Sequence, residues 1–315
     1  MSIVNKPPTS IQIEPIFYCN RRCDFCPNCL LKNEKYRNRY MSQDTARKIA
    51  YEIAILTDNG NHLRLDMALR GEPLLHPFLY NIIEIFRRQL FKAQISIVTN
   101  GYKLTTTRAE GLFSAGLNFI YLDCYLNSYN RWKNKFINAP SKRFIVRDSQ
   151  DITHWQWRGN KKRVLILGEN LIADNKKNRN LVSFCQALPA ENCERYGIDI
   201  SNLPKKKTCV DPFRSMNITW DGQVLLCCRD WTEKRVMFDL SRDEDLAGYW
   251  YEDKALNHIR TILQHKDRDF YPCCDCDYNG GVYTGNLPSI NKHSDQELKE
   301  LKRFLSKQLT IYNRR

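Results

Sequence analysis

Long apolar runs and targeting signals are absent from this sequence. Among its 315 residues, no stretch approaches the roughly 20 consecutive apolar residues of a membrane-spanning helix. The first ten residues, MSIVNKPPTS, lack the basic and then apolar pattern of a secretory signal. We therefore expect a cytoplasmic protein with no membrane association.

Internal repeats and low-complexity segments are absent as well, so the chain is not an array of stacked units. Its content of 42% hydrophobic and 27% charged residues is ordinary for a globular protein. A chain of 315 residues is longer than one average domain. We expect one large core and a smaller second module.

Acidic residues are relatively few, since 35 Asp and Glu stand against 49 Lys and Arg and leave a net charge of +14. Such an excess suits polyanions, including nucleic acids. The basic residues are nevertheless scattered, with short runs only at 161–163, 176–179 and 205–207. This distribution favours a solvated surface, and nucleic acid is the less favoured partner.

Cysteine, in contrast, is abundant, with 13 residues. In the reducing cytosol, thiols serve metal or redox chemistry more often than disulfides. Cys19, Cys23 and Cys26 follow a strand-like segment with the spacing C-x3-C-x2-C. Three thiolates on one loop can hold three irons of a 4Fe-4S cluster and leave the fourth iron open to a small molecule. The alternatives are a disulfide or a zinc site, for which Cys29 is a weak fourth ligand.

This loop resembles the signature of the radical S-adenosylmethionine (SAM) superfamily, in which an aromatic residue precedes the last cysteine, as Phe25 does here. The resemblance implies that the amino and carboxylate groups of SAM chelate the open iron. It also implies reductive cleavage of SAM to a 5′-deoxyadenosyl radical, which removes a hydrogen atom from the substrate. Such an enzyme needs a one-electron donor such as flavodoxin or ferredoxin.

Strand-like and helix-like segments alternate over roughly the first 170 residues, and this alternation predicts parallel β/α units with right-handed crossovers. The first predicted strand begins at residue 11 and ends before the cysteine loop, and the others are 63–69, 94–99, 118–126 and 163–167. The predicted helices are 42–56, 78–90, 106–115 and, further along the chain, 179–187. The resemblance implies a partial (β/α)6 barrel of the radical SAM type.

Ligands of parallel β/α folds bind at the carboxyl ends of the strands. Gly71, Glu72 and Pro73 follow the second predicted strand and resemble the family's G-G-E-P motif, with Arg70 in place of the first glycine. The resemblance implies that Glu72 and the neighbouring backbone receive the SAM ammonium group. Taken alone, such a tripeptide is usually a turn.

Three further residues at strand ends are candidates for SAM binding. Asn100 ends the third strand within an Asn-Gly turn signal. The resemblance implies a contact from Asp123 to the SAM ribose, although an Asp here could instead bond to loop backbone. Gly168 follows the fifth strand, near where the family places an adenine-contacting strand.

A second module follows residue 200, and it carries six of the cysteines. Cys209, Cys227, Cys273 and Cys276 supply four thiolates, enough to ligate a second 4Fe-4S cluster completely. A structural zinc site is the alternative. Cys228 or Cys274 could replace its neighbour, so the register within each cysteine doublet stays open.

A hairpin with a two-residue Asp-Gly type I′ turn is predicted over 216–226, and a helix over 246–263. Together with the cysteine spacing, these segments resemble the twitch domain, a shortened SPASM module of α+β structure. The spacing is similar to that of radical SAM dehydrogenation enzymes of aminocyclitol biosynthesis. We expect a radical SAM core at 1–200, the auxiliary-cluster domain at 201–288 and an amphipathic helix at 289–315.

The expected reaction is dehydrogenation or epimerisation of a sugar, aminocyclitol or peptide residue, with a small polar molecule or peptide as substrate. Cys228 lies next to a strand-borne ligand and should face the opposite side, where a free thiol could donate a hydrogen atom in epimerisation. Two alternatives stay open: radical modification of RNA or DNA, and a non-catalytic metal-binding module that contacts nucleic acid.

Overall fold

One nine-stranded sheet organises the protein, with the strand order β5-β6-β4-β3-β2-β1-β7-β8-β9. The computed structural model describes residues 6–23, 26, 28, 38–124, 128–137, 143–148, 163–170, 208–233, 235–276, 296, 299, 300 and 303. The strands are β1 (Ser10–Ile13), β2 (Arg64–Met67), β3 (Gln94–Thr99), β4 (Phe119–Cys124), β5 (Ile145–Asp148), β6 (Val164–Asn170), β7 (Ser215–Ile218), β8 (Gln223–Leu225) and β9 (Val236–Asp239).

The helices connect and cover these strands. They are α1 (Gln43–Thr57), α2 (Leu79–Gln89), α3 (Thr106–Ala115), α4 (Tyr129–Ile137), α5 (Asp211–Arg214), α6 (Leu246–Glu252) and α7 (Lys254–Gln264). Strands β1 to β7 pair in parallel, whereas β8 and β9 pair antiparallel. Because α1, α2 and α3 each connect neighbouring parallel strands, the first half has the predicted partial-barrel architecture.

Helix α1 shows why the sequence folds as it does. Ser42 caps it, since the Ser42 hydroxyl accepts a hydrogen bond from the Thr45 N–H at 3.0 Å. Ala46, Ile49 and Ile53 recur at helical spacing and are fully buried. This helix therefore packs its apolar stripe into the core, as predicted.

Helix α4 and strand β5 are absent from the sequence-based prediction. Trp132 and Phe136 supply the apolar contact of α4, and their rings stack with centroids 5.7 Å apart. Strand β5 pairs with β6 at the outer edge, so β6 and not β5 lies next to β4. An edge strand of four residues needs little apolar character, and its sequence signal is correspondingly weak.

Two predicted features of the second module are wrong in detail. The predicted helix 246–263 is broken into α6 and α7 at Asp253, whose carboxylate accepts from the Leu256 N–H at 2.7 Å and caps α7. The predicted type I′ turn is instead a three-residue loop. The Gly222 N–H donates to the Thr219 carbonyl at 3.1 Å, and Gly222 adopts φ +91°. This pattern is a type I turn followed by a left-handed glycine.

Some predicted features lie outside the described residues. These are Phe25, the helix-like segment 179–187 and most of the segment 289–315. Within the described ranges, no helix is long and apolar enough to cross a membrane.

Candidate active site at the carboxyl ends of the strands

The first cysteine loop follows β1 at the carboxyl edge of the sheet. The Cys26 N–H donates to the Cys23 carbonyl at 3.0 Å and folds the loop into a turn. The half-buried Cys19 thiol accepts from the Arg21 N–H at 3.5 Å and the Asn100 side-chain amide at 3.8 Å. Burial raises the pKa of Cys19 to about 11, so iron binding must displace a proton from this thiol.

The loop after β2 lies directly against the loop after β1. A Cβ atom on Gly71 would collide with the Ile16 carbonyl oxygen, so only glycine fits here. Pro73 then begins a 3-10 helix, Pro73–Leu75, and the Glu72 side chain caps it by accepting from the Leu74 N–H. The Gly71-Glu72-Pro73 segment is therefore held rigidly beside the cysteine loop.

Glu72 is buried and fixed by three donors from two loops. Its Oε1 accepts from the Leu74 N–H at 2.9 Å and the Thr99 hydroxyl at 2.6 Å, and its Oε2 accepts from the Asn100 N–H at 2.7 Å. Burial raises the pKa of Glu72, and these hydrogen bonds act in the opposite direction. The carboxylate thus joins the ends of β2 and β3.

Asn100 connects this carboxylate to the first cysteine. Its Nδ2 donates to the Asn20 side chain at 3.1 Å and to the Cys19 sulfur, while its Oδ1 accepts from the Tyr102 N–H at 2.9 Å. A single side chain therefore contacts both the thiol loop and the β3 turn. Donors to cluster sulfurs are among the groups that set reduction potentials.

Asp123 and Gly168 lie at the same sheet edge, near the ends of β4 and β6. The register of these two strands shifts between Leu122 and Cys124, next to Asp123. Cys124 itself is fully buried and is a core thiol. The structure thus brings the predicted residues Cys19, Cys23, Cys26, Gly71, Glu72, Pro73, Asn100, Asp123 and Gly168 to one edge of the sheet.

A buried arginine beside this site was missed as a functional residue. Arg70 forms a double hydrogen bond with the Glu14 carboxylate, with both N–O distances at 2.7 Å, and an ion pair with Glu233 at 2.5 Å. Its guanidinium also lies 4.4 Å from the centre of the Phe17 ring. The sequence shows only that Arg70 departs from the motif. The available signal was Glu14, a charged residue in a strand-like segment. A carboxylate that is buried in such a segment needs a cationic partner.

Four thiols line one cavity in the second module. These are Cys209, Cys227, Cys273 and Cys276, which we call the four-thiol cavity. Their burial raises the pKa of Cys209 to about 12 and the pKa values of Cys227 and Cys273 well above that of an ordinary thiol. The charges of neighbouring thiols contribute in the same direction, which reflects their proximity.

The donor set of this cavity suits a cluster. In the described ranges, no three Cys, His, Asp or Glu side chains converge on a single-ion site. A four-iron cluster is bound by one thiolate at each corner, so its ligands lie further apart than those of one ion. In addition, the buried Nη2 of Arg235 has no hydrogen-bond partner among the described residues. An anionic cluster would satisfy such a donor, and the residues therefore fit the group.

Cys228 adjoins Cys227 but is not among the residues that line the four-thiol cavity. Burial raises the pKa of Cys228 to about 11, and the nearby Arg229 opposes this shift. The thiol therefore keeps its hydrogen at neutral pH. Cys274 likewise does not line the cavity.

Comparison with known proteins agrees with this geometry. Residues 13–144 match the radical SAM superfamily, and residues 209–277 match SPASM, described as an iron-sulfur cluster-binding domain. The chain therefore contains a radical SAM domain followed by a SPASM domain, and its expected assignment as an enzyme is confirmed. The predicted SAM-binding cluster, SAM itself and an auxiliary cluster are confirmed as the cofactors of these domains. Their ligand residues remain predictions.

Among its relatives is the S-adenosyl-L-methionine-dependent 2-deoxy-scyllo-inosamine dehydrogenase of Niallia circulans. It is 22% identical over 281 residues, which cover 87% of this chain and 94% of the relative. The crystal structure of BtrN in complex with AdoMet and 2-DOIA has a TM-score of 0.63 at 21% identity, covering 87% of this chain and 95% of that one. Streptococcus suis SuiB bound to S-adenosylmethionine has a TM-score of 0.50 at 15% identity, covering 87% and 72%.

Proposed function

We propose that this enzyme dehydrogenates a secondary alcohol of a small aminocyclitol or sugar. The observation that carries the proposal is the four-thiol cavity, because four protein thiolates saturate a cluster and leave it suited to accept an electron. The relative from Niallia circulans, named as a dehydrogenase of an aminocyclitol, supports the substrate class, and this chain covers 94% of its length.

The residues divide into two ligand sets and a SAM-binding set. Cys19, Cys23 and Cys26 would hold the first cluster, and the four-thiol cavity would hold the second. When bound, these clusters and SAM supply the hydrogen-abstracting radical and an acceptor for the second electron. Residues proposed to bind SAM are Phe25, Gly71, Glu72, Pro73, Asn100, Asp123 and Gly168.

The fixed carboxylate of Glu72 would orient SAM. Three donors fix the carboxylate in one position, so it presents its remaining acceptor capacity in a fixed direction. A positively charged ammonium group placed against it needs little reorganisation of the protein. Gly71 lets the loop approach the cysteine loop closely, which limits the space open to water.

Oxidation of the alcohol requires three losses from the substrate: a hydrogen atom from carbon, a proton from oxygen and one electron. The four-thiol cavity would hold the group that supplies an acceptor for this electron, and the three losses together would convert the carbon–oxygen single bond to a carbonyl. We infer that flavodoxin or ferredoxin supplies the electron that initiates SAM cleavage. We also infer that the enzyme acts in the cytoplasm.

The second candidate function is epimerisation, favoured by one observation. Cys228 carries a protonated thiol next to a proposed cluster ligand, and it could return a hydrogen atom to the opposite face of the substrate carbon. The proposed substrates of epimerisation include peptide residues, because their C–H bonds are similar to those of a small polar molecule.

Mass spectrometry of the products in deuterated water distinguishes the two reactions. The reconstituted enzyme is incubated anaerobically with SAM, dithionite and a panel of aminocyclitols, sugars and peptides. Dehydrogenation yields a product lighter by two hydrogens, with one 5′-deoxyadenosine per turnover. Epimerisation yields an unchanged oxidation level with one deuterium incorporated. The proposal fails if no panel member changes while 5′-deoxyadenosine still forms.

The Cys228→Ala variant adds a second criterion, with Cys274→Ala as the matched control. A dehydrogenase should keep its activity in both variants. An epimerase should lose product formation in Cys228→Ala alone. Salt-dependent binding of tRNA or duplex, followed by its modification, would instead support the nucleic-acid alternative.

A further inference from the structure

A large cavity lies at the amino ends of the parallel strands, and its volume is about 1230 Å³. Its lining includes the first residues of four strands and the residues that directly precede β4 and β6: Ser10, Arg64, Gln94, Ser215, Asn118 and Arg163. Strands β1 and β3 have four and six residues. At about 3.3 Å per residue, they separate this cavity from the carboxyl edge by about 13 to 20 Å. The cavity is therefore distinct from the predicted SAM site.

The lining of this amino-end cavity is basic. None of the described residues that line it is Asp or Glu, and its lysine and arginine residues are Arg64, Arg87, Lys92, Arg163 and Arg214. Carboxylates outside the lining form ion pairs with three of them, namely Asp66 with Arg64 at 2.6 Å, Asp58 with Lys92 at 2.7 Å and Asp211 with Arg214 at 3.3 Å. Arg87 and Arg163 therefore leave two positive charges that no described carboxylate contacts.

Arg163 is the more available of these two arginines. Its backbone carbonyl accepts from the Ile145 N–H at 2.9 Å, which fixes the main chain at the edge of β6. Its half-buried side chain has no hydrogen bond or ion pair in the described part of the chain. A guanidinium group carries five N–H donors, and all five are open to a ligand in this cavity.

Arg87 is held firmly by uncharged acceptors. Its Nε donates to the Gly116 carbonyl at 2.9 Å, and its Nη1 donates to the Leu90 and Ala93 carbonyls at 3.1 and 2.8 Å. Its Nη2 donates to Asn118 Oδ1 at 2.6 Å, which uses one of the two hydrogens on that nitrogen. Burial lowers the pKa of Arg87, since its charged form is desolvated without an opposing carboxylate. An anion in the cavity would supply the missing compensation.

Two further lining residues suit the organic part of such an anion. The Gln94 Oε1 atom is buried and has no hydrogen-bond partner among the described residues, so this amide can bond to a polar group of a ligand. Phe91 is 61% exposed and presents an apolar ring. The cavity is also larger than the roughly 300–1,000 Å³ of ordinary ligand pockets. It therefore has room for more than a simple inorganic ion.

We propose that the amino-end cavity binds a phosphate monoester, with Arg87 and Arg163 as the residues that contact the phosphate. A monoester carries about −1.5 to −2 charges at neutral pH, which matches the two positive charges without a carboxylate. The planar guanidinium group also fits the geometry of phosphate oxygens. Since the site is at the edge opposite to the predicted SAM site, its ligand is bound without reacting. The inference is independent of the proposed dehydrogenation.

Isothermal titration calorimetry of the anaerobic holoenzyme at low ionic strength tests the site. The probes are phenyl phosphate, inorganic phosphate and phenol, the last of which lacks the charge. We expect one phenyl phosphate per chain, weaker binding of inorganic phosphate and none of phenol. Arg163→Gln should weaken phenyl phosphate binding about tenfold, because a charge-assisted contact is lost. Arg163→Lys, which keeps the charge, should bind more tightly than Arg163→Gln.

The matched control is Arg88→Gln, which removes an exposed arginine next to Arg87 on α2 that does not line the cavity. It should bind phenyl phosphate as the wild type does. Arg87→Gln also removes hydrogen bonds that support the fold, so Arg163→Gln carries the test. Circular dichroism and iron content verify that each variant is folded and loaded.

Three results would overturn the proposal. The first is the absence of phenyl phosphate binding to the wild type. The second is equal weakening in Arg163→Gln and Arg88→Gln, which would indicate general attraction to a basic protein. The third is displacement of phenyl phosphate by saturating SAM, which would place the binding at the SAM site. None of these results bears on the proposed dehydrogenation, because the titration needs no turnover.

Discussion

Arg70 shows how a single substitution in a loop motif can introduce a buried network of charged side chains. The related motif has glycine at this position, whereas here Arg70 contacts Glu14, which follows β1, and Glu233, which follows the Cys227-Cys228 doublet. All atoms of the Glu14–Arg70 pair are essentially removed from solvent. Arg70 therefore links the loop after β2 to the auxiliary module.

Replacing Arg70 by leucine should destabilise the protein strongly. The change leaves the Glu14 carboxylate buried without its partner, and breaking such a pair costs about 3–5 kcal/mol. Anaerobic urea unfolding followed by circular dichroism measures the loss. The control Arg242→Leu removes an exposed ion pair and should change the stability by less than about 1 kcal/mol.

The stability deficit of Arg70→Leu should depend on pH. Burial raises the pKa of Glu14, and Arg70 opposes that shift in the wild type. Without Arg70, the folded variant binds a proton more tightly than its unfolded chain, so its stability falls as pH rises above about 4.3. We expect a smaller deficit at pH 5 than at pH 8. An equal deficit at both values would show that Glu14 does not remain buried.

Thr99→Val tests whether the orientation of Glu72 controls SAM affinity. The Thr99 hydroxyl donates to Glu72 and accepts from the Gly101 N–H at 3.0 Å, and valine can do neither. Loss of about 1 kcal/mol should weaken SAM binding about fivefold in titrations followed by cluster spectroscopy. Thr105→Val, which removes the N-cap of α3, should lower stability without changing SAM affinity. Equal SAM affinities in all three proteins would contradict the positioning role.

At the residue scale, the sequence predicts the positions of residues next to a strand end. It does not predict contacts between residues that are far apart in the chain. Gly71 and Glu72 are adjacent to a predicted strand end, and their place at the sheet edge follows from the alternation of strands and helices. The partners of Arg70 come from β1 and from the second module, so no spacing rule connects them.

At the scale of single elements, strong apolar periodicity was predictive and weak periodicity was not. Strand β3 and helix α3 have the bounds that the sequence predicted. The break between α6 and α7 depends on one capping carboxylate, Asp253, within a continuous apolar pattern. Strand β5 depends on pairing with β6, which no local signal encodes.

Substitutions at two glycines test two different requirements. Gly71 has no space for a side chain, whereas Gly222 adopts a backbone conformation that disfavours one. Gly71→Ala should displace the loop after β2, because the added methyl meets backbone at Ile16. We expect loss of the spectral response to SAM while the auxiliary cluster remains. Gly222→Ala has room for its methyl but keeps a φ of +91°, so it should cost about 1 kcal/mol without affecting SAM. A normal SAM response in Gly71→Ala would mean that the loop can move freely.

At the scale of the whole molecule, the two modules share one sheet. Strand β7 pairs in parallel with β1 along Ser10–Ile13, and β8 and β9 extend the sheet further. Two more contacts join the parts, since the Trp250 indole donates to the Lys6 carbonyl at 2.9 Å and the Leu246 N–H donates to Glu52 at 3.2 Å. The expected boundary near residue 200 therefore separates sequence modules whose strands form one continuous sheet.

This continuity predicts that a chain truncated after residue 207 will not fold on its own. It would expose the edge of β1, remove the partners of Lys6 and Glu52, and uncover apolar surface that α6 and α7 bury. Truncation after residue 288 keeps every described strand and is the matched control. Anaerobic size exclusion, circular dichroism and iron content should show aggregation of the shorter chain and a folded, cluster-containing longer chain. A monodisperse 1–207 fragment that binds iron and responds to SAM would show that the core is autonomous and that β7 only docks on it. Failure of the shorter chain alone would mean that the core needs the auxiliary module in order to fold.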